Sequence, residues 1–150
     1  MKKTVLIGGA AGQGINVISE IISNIVTKHG YYVFNYRDYP SLIRGGHNFN
    51  VLTISDKRVG STDSKIDTII AMDEDTIRLH KKELKHGGNI ISYKEFYKLG
   101  RNQNVAQAAA YLHYIGVDKK EIETTIKKKF KTPESVAAVG IGYNSQKEKD

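Results

Sequence analysis

The sequence predicts a single α/β domain: a mixed, largely parallel sheet with helices on both faces and a helical C-terminal third. Three observations carry this expectation. Short apolar runs bounded by turn residues alternate with helical patterns through residues 4–92, a glycine-bearing turn joins the first run to the most strongly periodic helix, and the last third carries only helix starts and stops.

Taken in order, Thr4 to Ile7 reads as a short buried strand. Ile15, Ile18, Ile22, Ile25 and Val26 recur at helical spacing with Ile21 widening the stripe, and Gly30 after His29 supplies a left-handed stop. Tyr32 to Tyr36 is rich in β-favouring residues, ends at Arg37-Asp38 and is expected to lie close to the first strand. Phe49 to Ser55 reads as a further strand before the turn Asp56-Lys57-Arg58, and Asp67 to Met72 as another. Asp73 is placed to cap the next helix, with Glu74 and Asp75 in its first turn, and Gly87-Gly88 to close that helical unit ahead of the strand Asn89 to Ser92.

The C-terminal third begins with an alanine-rich helix over Gln103 to Ile115, ended by Gly116. Asp118 and Glu121 form a capping-box-like start for a helix reaching Phe130, and Thr132-Pro133-Glu134 opens a last short helix. Beyond Gly142-Tyr143 the tail 144–150 is polar and is expected to fray. No internal repeat and no domain boundary stands out, so residues 1–143 read as one domain.

Composition narrows the function classes. A chain of 150 residues with 39% hydrophobic content can bury a continuous core without staples. With no cysteine it has no disulfide, thiolate metal site, iron-sulfur ligand or cysteine nucleophile, and it fits a reducing cytoplasm. Met1-Lys2-Lys3 runs into too few apolar residues for a signal peptide or a membrane span. The formal charge is +7, and many of the lysines sit in Lys81-Lys82, Lys119-Lys120, Lys127-Lys128-Lys129 and the Lys147-Glu148-Lys149 tail, interleaved with glutamates on expected helix surfaces. No aromatic-plus-basic platform accompanies it, so a solvated face is favoured over a nucleic-acid-binding module.

Two glycine-bearing stretches carry the chemistry. Gly8-Gly9-Ala10-Ala11-Gly12-Gln13-Gly14 follows an apolar strand and opens directly into a helix, a geometry suited to anion binding, with more glycine than a tight turn requires. Tyr39-Pro40-Ser41-Leu42-Ile43-Arg44-Gly45-Gly46-His47-Asn48 sets one arginine beside two glycines, where a guanidinium can grip a phosphate or carboxylate with little obstruction. The dinucleotide fingerprint fails at its third position, where Val17 replaces Gly or Ala, although Asp38 falls near the spacing of a ribose-binding acid. No Gly-Lys-Ser/Thr follows, which excludes a P-loop. A stand-alone nucleotide-binding oxidoreductase remains the runner-up reading on these residues.

These two stretches together resemble the gamma subunit or gamma domain of the 2-oxoacid:ferredoxin oxidoreductases, the enzymes for pyruvate, 2-oxoglutarate, branched-chain oxoacids and indolepyruvate. The similarity continues through Ile66-Asp67-Thr68-Ile69-Ile70-Ala71-Met72-Asp73 and Leu84-Lys85-His86-Gly87-Gly88, and more weakly to Gly142-Tyr143. Arg37-Asp38-Tyr39-Pro40-Ser41 resembles the version in which this domain begins a longer fused gamma-alpha chain. The segment Tyr93 to Asn102 is shorter than its usual counterpart, as in a natural short form, an excised domain or a chain lacking a loop.

The resemblance implies a division of labour. Thiamine diphosphate and iron-sulfur clusters would belong to partner subunits or domains, namely alpha and beta thiamine-binding components and a ferredoxin-like component. This domain would be associated with the coenzyme A step. The expected contacts to coenzyme A are Gly9, Gly12, Gln13, Gly14, Arg44, Gly45 and Gly46, with no catalytic residue and no metal ligand in this chain. No thiamine diphosphate motif of the Gly-Asp-Gly type is present, so the chain alone should be silent.

Other candidates have plainer explanations. His47 reads as a hydrogen-bonding loop residue. His80 and Lys85-His86 fall where a helix end favours positive charge. Tyr31, Tyr32, Tyr36 and Tyr39 read as core or interface aromatics, and Asp73, Glu74 and Asp75 as helix-start acids.

Overall fold

The computed structural model describes residues 2–10, 14–38, 46–58 and 65–146. The chain forms two compact units, Met1–Ser92 and Tyr93–Asp150.

Among the described residues the first unit holds a five-stranded sheet and two α-helices. Its strands are β1 (Lys2–Ala10), β2 (Tyr32–Asp38), β3 (His47–Ser55), β4 (Ile66–Ala71) and β5 (Leu84–Ser92), in the spatial order β2-β3-β1-β4-β5. β4 and β5 run parallel to β1, and β3 runs antiparallel to both β1 and β2. Four strands therefore point one way and β3 runs against them, which is the mixed, largely parallel sheet expected. The expectation that β2 lies close to β1 needs correcting, because β3 is interposed. β2 and β3 are consecutive strands paired antiparallel along one edge of β3, and β3 presents its other edge to β1.

Helices cover both faces. α1 (Ile15–Lys28) buries Ile15, Ile18, Ile21, Ile22, Ile25 and Val26, the stripe read from the sequence. It ends in a Schellman motif: Gly30 has φ 87, its N–H donates to the Thr27 carbonyl, and the Tyr31 N–H reaches back to Val26. α1 lies on the face of Asn50, which is paired with Ile7. On the opposite face Leu6, Val51, Ile69 and Ala71 form a buried cluster that receives Ile77 of α2 (Glu74–His80). The cap read at Asp73 is present, its carboxylate accepting from the Thr76 N–H at 3.0 Å and the Thr76 hydroxyl at 2.7 Å.

Gly87-Gly88 does not close that helix. A 3-10 turn, Lys81–Glu83, follows α2 directly, and both glycines lie inside β5. The pairing with β4 explains them: Ile66 faces Leu84 while Thr68 already faces Asn89, so β5 bulges between the two. Gly87 takes φ 80, and a Cβ on Gly88 would stand 2.7 Å from the Asp67 carbonyl oxygen. Lys85 and His86 accordingly sit on a strand, not at a helix end, and Lys85 pairs with Asp67 at 3.4 Å.

The second unit holds α3 (Gln103–Tyr114), α4 (Lys119–Phe130) and α5 (Pro133–Asn144), preceded by 3-10 turns at Tyr93–Glu95 and Tyr97–Asn102. Gly116 stops α3 with φ 94 and the same Schellman bonds. Thr132 caps α5 and Pro133 occupies its first turn, as read. Asp118 holds the N-cap position of α4, but its side chain makes no cap bond, so the capping box is not formed. The small residues of α3 let α5 approach closely. His113 donates from Nδ1 to the Tyr143 carbonyl at 2.6 Å, and the two rings stack at 3.6 Å.

Candidate functional site

Topology brings the two glycine-bearing stretches to one end of the sheet. β1 finishes at Gly9 and Ala10, which pair with Asn48 and His47 at the start of β3, and β2 finishes at Asp38, opposite Phe49. β4 ends beside them, since Ala71 pairs with Gly8 and the Met72 N–H donates to the Gly8 carbonyl at 2.9 Å. The chain thus leaves β1, β2 and β4 at a shared carboxyl edge, where open α/β sheets place their ligands.

Of the residues expected to form a site, Gly9 lies in β1, Gly14 opens α1 and Gly46 immediately precedes β3. Gly12, Gln13, Arg44 and Gly45 lie outside the described residues, as does Tyr39. Gly14 takes φ 85 as the N-cap of α1 and offers no capping side chain, so the glycine is required by the backbone itself. The first turn of α1 is anchored from below: the buried Asn50 amide donates to Asn16 Oδ1 at 3.0 Å and to Ser19 Oγ at 2.8 Å. Among the described residues no group of three or more His, Asp or Glu side chains is placed to hold a metal ion.

A cluster on the other face of the same edge escaped the sequence reading. His47 and His80 meet with their Nε2 atoms 2.7 Å apart, and His80 Nδ1 lies 2.6 Å from Glu83 Oε2. Phe49 meets the His80 ring edge-on at 4.6 Å and stacks on His47 at 5.8 Å. Gly8 makes room for the group, because a Cβ there would lie 2.6 Å from Thr76 Cγ2 and 3.1 Å from His47 Cε1. His47 and His80 are 33 residues apart in sequence, so local pattern hides the pair; only the His80/Glu83 spacing of one helical turn was legible.

Burial holds the His47 imidazolium below its usual range, and repulsion from His80 and Arg78 adds to this, against attraction from Asp73 and Asp75. The unfolded chain therefore binds that proton more tightly than the native one. His47 contributes stability that is complete above its ordinary value of 6.5 and is lost as pH falls through 6.5 toward the lower native value. Urea midpoints taken between pH 7.5 and pH 5 should fall more steeply for the wild type than for His47→Gln. Equal slopes would assign the acid sensitivity to another group.

The pyruvate ferredoxin/flavodoxin oxidoreductase family model matches residues 4–99. A 2-oxoacid:ferredoxin oxidoreductase subunit alpha from Sulfolobus is 34% identical over 149 residues, covering 96% of this chain and 23% of its own length. The gamma subunit of a keto/oxoacid ferredoxin oxidoreductase from Geobacter sulfurreducens superposes with a TM-score of 0.74 at 17% identity, over 95% of this chain and 96% of that one. A 2-oxoglutarate:ferredoxin oxidoreductase from Magnetococcus marinus, solved with 2-oxoglutarate, coenzyme A and succinyl-CoA, superposes with a TM-score of 0.73 at 15% identity over 96% of this chain and 30% of that one. At these identities the two structures establish a shared fold.

Proposed function

The chain belongs to the pyruvate ferredoxin/flavodoxin oxidoreductase family, and on that premise we propose that it is the gamma component of a thiamine-dependent 2-oxoacid:ferredoxin oxidoreductase. The assembled enzyme converts a 2-oxoacid, coenzyme A and oxidised ferredoxin to an acyl-coenzyme A, carbon dioxide and reduced ferredoxin. Residues 1–143 are its gamma domain and 144–150 a polar tail. The gamma assignment is supported by the full-length likeness to a solved gamma subunit, and by relatives named alpha of which this chain spans 23% of the length, as expected where the domain is fused to a longer chain.

The observation that carries the coenzyme A role is the shared carboxyl edge of β1 and β2, from which both glycine-bearing stretches depart. Gly9, Gly12, Gln13 and Gly14 on one side and Arg44, Gly45 and Gly46 on the other are the proposed contacts. Coenzyme A carries a diphosphate and a 3′-phosphate. Free N–H groups in the first turn of α1 and a guanidinium suit such a ligand. Iron-sulfur clusters belong to partner components because this sequence has no cysteine, and thiamine diphosphate to the alpha and beta components because it has no motif of the Gly-Asp-Gly type. Tyr32 and Tyr36 stand exposed on the edge strand β2, in keeping with a partner surface. No helix among the described residues is long and apolar enough to cross a membrane; the proposed setting is the cytoplasm.

Calorimetry of the assembled oxidoreductase with coenzyme A and with NAD tests this reading. Coenzyme A should bind and NAD should not, and Arg44→Ala should weaken coenzyme A binding by about 1–3 kcal/mol, the range for a lost charged hydrogen bond. NAD binding, or an unchanged affinity in the variant, removes the site assignment.

A further inference from the structure

We propose that Glu83, His80 and His47 form an acid–base array that accepts a proton from a protic ligand group at Nδ1 of His47 and delivers it to solvent at Glu83. The direction follows from the donors and acceptors. A carboxylate only accepts, so the 2.6 Å contact with Glu83 fixes the proton of His80 on Nδ1. The Nε2 of neutral His80 is then an acceptor, and the 2.7 Å contact requires His47 to donate from Nε2. His47 is left with a bare lone pair on Nδ1, which is buried and has no hydrogen-bond partner among the described residues.

That orphaned acceptor distinguishes an acid–base device from a structural tie. A histidine pair kept only for stability would satisfy both ends, because a buried polar atom without a partner costs about 1–3 kcal/mol. The two ends of the array also differ in access: Nδ1 of His47 is buried, whereas the Glu83 side chain is 41% exposed. One terminus is therefore buried near the glycine-lined edge, and the other meets water.

The step balances without any change in oxidation state. The ligand X–H bond breaks and an Nδ1–H bond forms on His47. The Nε2 proton of His47 passes to Nε2 of His80, and the Nδ1 proton of His80 passes to Oε2 of Glu83, which releases it to water. The array goes from one negative charge to none, so no isolated imidazolium has to be buried. Asp73 and Asp75 at the start of α2 favour the proton on His47, whereas Arg78 opposes it. If the ligand is coenzyme A, the protic group is its thiol; that identification rests on the function proposed above, whereas the array does not.

Nitrogen-15 NMR of the histidine rings tests the array in the full chain without any ligand, so its outcome is separate from that of the coenzyme A reading. At pH 7.5 His47 should be protonated on Nε2 and bare on Nδ1, with His80 protonated on Nδ1. Glu83→Gln should lower the titration midpoint of His47 by about half a pH unit, roughly a threefold loss in proton affinity, although Glu83 bonds to His80 and not to His47. Glu83→Asp, which keeps the charge, should lie between the two. An Nδ1-protonated His47, or a His47 midpoint that is the same in all three proteins, overturns the proposal.

Discussion

Gly142→Ala will destabilise the protein by about 3 kcal/mol, while Gly140→Ala, two residues earlier in the same helix, will stabilise it by about 0.5–1 kcal/mol. In an open helix interior both changes carry the same sign, since alanine loses less backbone entropy than glycine. The environments separate them. A Cβ on Gly142 would overlap the Ala106 carbonyl oxygen and stand 2.7 Å from its carbon, atoms of the α3 backbone that cannot rotate away. A Cβ on Gly140 meets only the end of the Lys119 side chain at 3.8 Å. Relief requires α5 to move off α3, which opens the contacts of Ala138 and Val139 and the stacked pair His113 and Tyr143. Thermal denaturation of the full chain should show a fall of about 10 °C for Gly142→Ala and a small rise for Gly140→Ala. A rise in both would mean that the α3–α5 approach is not as close as described.

The helices were legible because what defines them is local. An isoleucine stripe at helical spacing, a glycine after the last turn, and a threonine before proline each act within a few residues, and α1, α3 and α5 begin and end close to where those residues place them. Where local pattern and long-range pairing compete, pattern alone misleads. Gly87-Gly88 looks like a helix stop, yet their role is set by the Asp67 carbonyl on a neighbouring strand. Asp118 and Glu121 have the spacing of a capping box, but the Asp118 side chain makes no cap bond. The position of β3 between β1 and β2 depends on which strand edges pair, and that is not written in any one strand. At the candidate site Gly14 could be read because the entry to α1 at φ 85 demands a glycine, whereas Asn50, buried in a strand and bonded to two residues of α1, gave no local sign of its role. The His47–His80 contact was hidden for the same reason: each histidine has an adequate local explanation, and only the fold brings the two rings together.

The second large effect concerns that contact and is expected at Gly8, the residue on which β3, β4 and α2 converge. Gly8→Ala should cost about 2–3 kcal/mol, the usual penalty for overpacking a tight core site, and should also disturb the histidine pair. The new Cβ would lie 2.6 Å from Thr76 Cγ2 and 2.9 Å from Thr76 Oγ1. Thr76 has little freedom to give way, being buried and held through both its N–H and its hydroxyl by Asp73. The third neighbour is His47 Cε1 at 3.1 Å, so the ring must shift against its 2.7 Å contact with His80. A double-mutant cycle separates these causes. Thr76→Ala removes both close atoms and weakens the cap, so it is destabilising alone, but in its background Gly8→Ala should cost at least about 1 kcal/mol less. The histidine resonances should remain perturbed in the double variant, because the His47 clash is still there. Additive stabilities would show that Thr76 is not what opposes a side chain at position 8. Unperturbed His47 resonances in Gly8→Ala would show that the ring has room to move without losing His80, and the close fit of strand, helix and histidine at this edge would then have no energetic consequence.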